Sequence, residues 1–218
     1  MTNRHIHAVI AELRRVVRRW PTPTVSIIAR ETRDPFRILV ACVLSLRTKD
    51  ATTAAASARL FALATTPRAL SRLTPDTIER AIYPVAFYRT KARSLRALSA
   101  ELISRFRGTV PDTIDDLLSL PGVGRKTANL VVTMGFGVPG ICVDTHVHRI
   151  TNRWGYVATR SPDETEQVLR RKLPRRNWIE LNDLLVPYGQ FLCTPTSPFC
   201  SRCSIARWCR QSAVTRRR

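Results

Sequence analysis

Lysine is nearly missing from this chain. Of its 36 basic residues only four, Lys49, Lys91, Lys126 and Lys172, are lysine, and the other 32 are arginine. Arginine serves wherever plain positive charge is wanted, so a retained lysine hints at chemistry that an always-protonated guanidinium cannot perform. Acidic residues are also scarce, 16 against the 36, leaving a net charge of +20. No apolar run approaches the roughly 18 residues that a membrane-spanning helix needs. The first residues, MTNRHIHAVIAELRR, interrupt their apolar positions with charge, which excludes a signal peptide. A cytoplasmic, nucleoid-associated protein without a membrane partner is expected, and its polyanionic partner is expected to be nucleic acid. Strand-like alternation and internal repeats are both missing, so the fold class expected is all-α.

What is present fits that class. The chain has 218 residues, 44% of them hydrophobic, enough for one domain or two small ones. Apolar residues at Ile6, Val9, Ile10, Leu13, Val16, Val17 and Trp20 form one face of a helix. Pro21 and Pro23 end it and begin a link. Asp34-Pro35, Thr66-Pro67 and Thr74-Pro75 each pair a capping residue with proline at the first helical position. Asp50 reads as the cap of an alanine-rich helix reaching Phe61. Leu95, Leu98, Leu102 and Phe106 line one side of a long helix from Lys91. Ser161-Pro162-Asp163-Glu164 is a capping box, and a last long helix spans 178–191.

Residues 120–144 organise the rest. Leu120-Pro121-Gly122-Val123-Gly124 is a tight turn in which two glycines admit positive φ or a close backbone approach. Between residues 128 and 138 only Asn129 and Thr133 are polar, so the helix that follows is apolar nearly all round and buried. Lys126 falls in its first turn, where the helix dipole and neighbouring Arg125 disfavour an ammonium and lower its pKa. A lysine able to lose its proton is a nucleophile; a phosphate contact beside Arg125 is the alternative. Backbone N–H groups at Gly122, Val123 and Gly124 could hold a DNA phosphate. Asp144 reads either as a catalytic carboxylate or as the N-cap of the helix beginning at Thr145.

Cys193, Cys200, Cys203 and Cys209 lie within 17 residues. In a cytosolic chain, four clustered thiols imply a metal and not disulfides. Zinc is the usual choice for four cysteines, but it favours two close pairs set apart, whereas these share one compact loop. Cys42 and Cys142 lie in apolar runs and read as core residues.

The turn, Arg125-Lys126-Thr127-Ala128 behind it, and Val143-Asp144-Thr145-His146 after a Gly/Pro link resemble the helix-hairpin-helix of the endonuclease III family of DNA repair glycosylases. The cysteine spacing C-x6-C-x2-C-x5-C resembles that family's [4Fe-4S] loop. The resemblance covers about residues 5–212. It implies a six-helix barrel at 25–137, with the helix-hairpin-helix at about 113–137. It also implies an iron–sulfur domain from 1–24 plus 138–212 and leaves 213–218 as a basic tail, whose closing Arg216, Arg217 and Arg218 are expected from composition to be disordered. Lys126 and Asp144 would face each other across the cleft between the lobes. The implied protein is a monomer that acts on double-stranded DNA containing damaged bases or abasic sites. It is a glycosylase and AP lyase for damaged, oxidised pyrimidine bases, with Lys126 attacking the sugar, Asp144 assisting, and Thr145 and His146 near the DNA. The loop would carry Arg202, Arg207 and Arg210 toward the backbone.

Two positions depart from the family pattern. Arg47 stands where a glutamine is usual, and Phe87 where a leucine wedge is usual; both belong to loops that fill the gap left by a flipped nucleotide. The rivals are a monofunctional mismatch- or adenine-type glycosylase, which lacks the lysine, and a non-catalytic iron–sulfur DNA-binding protein.

Overall fold

A computed structural model describes all 218 residues, with helices and no β-strand. The chain forms two compact units. One is Thr24–Val138; the other joins Met1–Pro23 to Pro139–Arg218.

The first unit holds eight helices: α2 (Thr24–Thr32), α3 (Pro35–Ser45), α4 (Asp50–Leu63), α5 (Pro67–Arg72), α6 (Pro75–Ile82), α7 (Tyr88–Phe106), α8 (Ile114–Leu118) and α9 (Arg125–Phe136). Helices α3, α5 and α6 start where the cap-plus-proline pairs place them. The Asp34 carboxylate accepts from the Phe36 and Arg37 N–H groups. The Thr66 and Thr74 hydroxyls accept from the Ala69 and Thr77 N–H groups. Such bonds satisfy donors that the first turn leaves without an intrahelical acceptor. Helix α3, buried continuously from Phe36 to Leu44 apart from Arg37, is the central element, and α2, α4, α7 and α9 pack around it.

Helix α2 departs from the expected link after Pro23, and Asp50 explains why. The expected cap of α4 is instead its first residue, after Lys49 at the N-cap. The Asp50 carboxylate accepts from the Thr24 N–H at 3.0 Å and from the Thr24 hydroxyl at 2.8 Å. A distant carboxylate thus does for α2 what a local cap would do, and it favours that helix N-terminus electrostatically as well.

The second unit holds α1 (Asn3–Val17), α10 (Thr145–Arg153), α11 (Pro162–Lys172) and α12 (Trp178–Phe191). Its core joins Ile6, Val9, Ile10 and Leu13 of α1 to Val147, Ile150, Trp154, Leu169, Leu181, Leu185 and Tyr188. Helix α1 ends at Val17, short of Trp20; the Trp20 ring stacks on Phe191 at 5.6 Å. At the start of α11 the Ser161 hydroxyl accepts from the Glu164 N–H. Glu164 reaches back to the Arg160 N–H, one residue before the partner of a standard capping box.

In the basic tail expected to be disordered, Arg218 has defined partners. The Arg218 N–H donates to the Pro198 carbonyl at 2.8 Å, and the Arg218 carbonyl accepts from the Ser201 N–H at 3.0 Å. The Arg218 guanidinium lies 3.9 Å above the Phe199 ring. Loop carbonyls and an aromatic face give this terminal arginine partners that composition alone does not reveal.

Candidate active site and nucleic-acid interface

The hairpin is built from its turn outward. Helix α8 is capped by the Thr113 hydroxyl, and Leu117, Leu120 and Val123 bury beneath the turn. The Val123 N–H donates to the Leu120 carbonyl at 3.2 Å. The two glycines differ. Gly122 has φ +79, and a Cβ there would meet Ser94 Cβ at 3.3 Å, so both the conformation and the close approach require glycine. Gly124 has φ −100, an ordinary value, with open space where a Cβ would stand. As N-cap of α9 it leaves that end without a side-chain cap and without an acidic residue in the first turn. The end of α9 therefore offers amide donors beside an open surface.

Helix α9 is buried without a break from Thr127 to Thr133, as its composition requires. Lys126, half-buried, is thereby held on a rigid element. Beneath it lies Cys42 of α3, whose thiol burial pushes up to about 12, with the nearby Lys126 charge opposing that rise. Cys42 and Cys142 are both buried and unpaired with any other cysteine.

Asp144, in the other unit, is the N-cap of α10. Its Oδ1 accepts from the His146 N–H at 2.9 Å and from the Val147 N–H at 2.8 Å. Oδ2 takes no part in the cap. Thr145 is exposed and His146 half-buried. His146 Nδ1 lies 3.0 Å from the Arg149 guanidinium, which also donates to the Gly189 and Cys193 carbonyls. Gly189 makes room for this pair: a Cβ there would stand 2.3 Å from His146 Nδ1. His148 turns inward to Thr165 at 2.7 Å.

Cys193, Cys200, Cys203 and Cys209 line one small cavity with Trp154, Tyr188 and Phe199. Burial raises the Cys200 and Cys203 thiols and pushes Cys209 up to about 11, with neighbouring cysteines adding to the rise at Cys200 and Cys209. Four thiolates in such a site need positive charge. Donors already face the sulfurs: Arg153 to Cys193 at 3.4 Å, the Gln211 N–H to Cys209 at 3.4 Å, and Tyr188 OH beside Cys203 at 2.9 Å. Buried Arg153 also donates to the Thr194 and Pro195 carbonyls. Four thiols lining one cavity, with hydrogen-bond donors facing three of the sulfurs, form a donor set suited to a thiolate-bound metal group. On the loop, Arg202 lies over Phe199 and Arg207 over Trp208, while Arg210 packs its methylenes against Gly155.

Arg47 and Phe87 sit in two turns of the first unit, each in the left-handed region at φ 56 and φ 58. Both are exposed, and the guanidinium lies 5.8 Å from the ring centroid. Sequence reasoning missed Arg149, Arg153, Gly189 and any role for Lys91. Among 32 arginines nothing in the sequence distinguishes buried Arg153 or half-buried Arg149, whereas the scarcity of lysine was a usable signal for Lys91.

Residues 40–175 match the profile of the HhH-GPD superfamily base excision DNA repair protein. Endonuclease III of Thermotoga maritima is 43% identical over 202 residues, covering 92% of this chain and 92% of that protein. The chain belongs to the endonuclease III family of base excision DNA repair enzymes. Two solved endonuclease III structures agree with that membership, each with a TM-score of 0.86 and 34% identity over 97% of this chain. One is a non-covalent DNA complex, covered to 96%. The other is a trapped covalent DNA intermediate, the estranged-adenine complex, covered to 97%. Endonuclease III of Bacillus subtilis is 37% identical over 82% of each chain. No helix is long and apolar enough to cross a membrane.

Proposed function

We propose that this chain is a base-excision-repair DNA glycosylase with AP lyase activity, removing oxidised pyrimidines from duplex DNA, with Lys126 as nucleophile and Asp144 as its partner. One observation carries the residue assignment. In a chain that charges itself with arginine, a lysine occupies the first turn of a buried helix directly behind a two-glycine turn. The trapped covalent DNA complex of endonuclease III supports a covalent route.

A base inside a duplex hides its glycosidic bond, so the nucleotide must first be extruded. Amides of Gly122 and Gly124 hold the backbone phosphate, the Val123 N–H being spent on the Leu120 carbonyl inside the turn, with Arg125 adding charge and Thr145 and His146 adding contacts from α10. The Lys126 Nζ lone pair adds to C1′ as the bond from C1′ to the base breaks, and the base leaves with the electron pair and gains a proton. The sugar ring opens, O4′ taking a proton, to give an imine between Nζ and C1′. The imine acidifies the C2′ proton; its loss expels the 3′ phosphate and cuts the strand by β-elimination. Asp144 Oδ2, outside the cap, takes up the lysine proton or faces the positive charge on the sugar, while the cap holds the carboxylate rigid.

The four cysteines would hold a [4Fe-4S] cluster, which supplies iron–thiolate bonds that order the loop and takes no part in base removal. Arg202, Arg207 and Arg210 then offer the loop's charge to the DNA backbone. The test is borohydride trapping on duplexes carrying oxidised pyrimidines or an abasic site. A covalent adduct is expected, and its loss in Lys126→Ala. A wild-type protein that neither cleaves nor is trapped on any of them would overturn the reading.

A further inference from the structure

A second lysine stands where arginine could not replace it. Lys91 is 7% exposed and lies one turn into α7, its N–H donating to the Phe87 carbonyl at 2.9 Å. Its ammonium donates to the Leu44 carbonyl at 2.9 Å, the Leu46 carbonyl at 2.6 Å and the Thr48 hydroxyl at 3.3 Å. An ammonium has three protons, and three acceptors take them. The carbonyls belong to the C-terminal end of α3, where a cation is favoured, and two of the three acceptors, on Leu46 and Thr48, flank Arg47. The Thr48 hydroxyl completes the link: it donates to the Leu46 carbonyl at 3.2 Å and accepts from the Ala86 N–H at 3.3 Å. One buried cation therefore joins residues 44–48 to residues 86–87. Both turns carry strained, exposed side chains that would otherwise relax, since a left-handed conformation persists in a bulky residue only where its surroundings impose it.

We infer that Lys91 is a positioning residue for nucleotide extrusion, tying the turn of Arg47 to the turn of Phe87 so that both side chains meet the duplex as one preset unit. This rests on the glycosylase reading above and deepens it. An arginine fork cannot present three protons to three converging acceptors around one atom. Burial lowers the Lys91 ammonium to about 8, a cost retained beside the two strained turns.

The test uses the full chain under single-turnover conditions, with a thymine glycol duplex and the same duplex carrying an abasic site. A damaged base must be pulled from its stack, whereas an abasic site is already unpaired. Lys91→Met is expected to slow excision of thymine glycol about 10-fold or more and abasic cleavage less than about 3-fold, and to add nothing further in a Phe87→Ala background. Equal losses on both substrates, no loss on either, or losses that multiply in the double variant would overturn the inference and mark Lys91 as a stabilising residue only. Thr48→Val, which keeps the lysine and removes the shared hydroxyl, must show the same split and serves if Lys91→Met does not fold. A wild-type protein inactive on both duplexes would instead overturn the glycosylase reading.

Discussion

The carboxylate of Asp50 closes the first turn of a helix that begins 26 residues earlier, at Thr24. It accepts both the N–H and the hydroxyl proton of that threonine, so α2 depends on a residue outside itself. Asp50→Ala is expected to lower stability by about 1–2 kcal/mol, the range for a lost cap. Urea unfolding measures it. Asp50→Asn should recover most of the loss, because an amide oxygen still accepts.

At the proposed nucleophile, Lys126→Arg keeps charge and loses nucleophilicity. Trapping and strand cleavage should both vanish while duplex binding persists. Cleavage of abasic DNA by the arginine variant would reduce Lys126 to a phosphate contact. Asp144→Asn should preserve stability, since asparagine caps as well as aspartate, yet slow turnover by orders of magnitude with little change in affinity.

Tyr188 OH lies 2.9 Å from Cys203 Sγ inside the cavity of the four cysteines. The purified protein should be brown and contain about four iron atoms per chain. Cys203→Ala should be colourless or poorly soluble. Stoichiometric zinc without iron after anaerobic purification would disprove the cluster.

Arg47 and Phe87 form a cation–aromatic pair on the surface. Phe87, 63% exposed, can stack between bases flanking the gap, a contact of about 1–3 kcal/mol. A guanidinium fork favours guanine acceptors. Excision should be fastest opposite guanine, and Arg47→Ala should flatten that preference. A uniform loss across opposite bases, with the salt slope reduced by about one, would mark Arg47 as a phosphate contact. Phe87→Ala should slow removal of damaged bases more than cleavage at abasic sites.

Burial holds the Lys91 ammonium at about 8, against 10.5 for an ordinary lysine. Below about pH 8 folded and unfolded chains both keep that proton. From about 8 to 10.5 the unfolded chain holds more, so this group's contribution to stability rises with pH across that window. The stability difference between wild type and Lys91→Met, read from urea unfolding at pH 7 to 10, should therefore shift in favour of wild type as pH rises. A flat difference would show that the lysine is not held in a desolvated site.

Local chemistry alone determined much of this protein. Asp34, Thr66, Thr74 and Ser161 cap helices through bonds that reach only two or three residues ahead, so their meaning lies in the sequence beside them. The apolar circumference of α9 required its burial, and Asp144 as the N-cap of α10 was readable from the residues that follow. The tertiary structure decided the rest. Asp50 serves Thr24 and not its own helix. Lys91 reaches a carbonyl 47 residues away, and Arg149 joins α10 to the Cys193 carbonyl across 44. Such partners are chosen by which elements pack together, and a guanidinium or ammonium carries no mark of its acceptor until the fold has buried it.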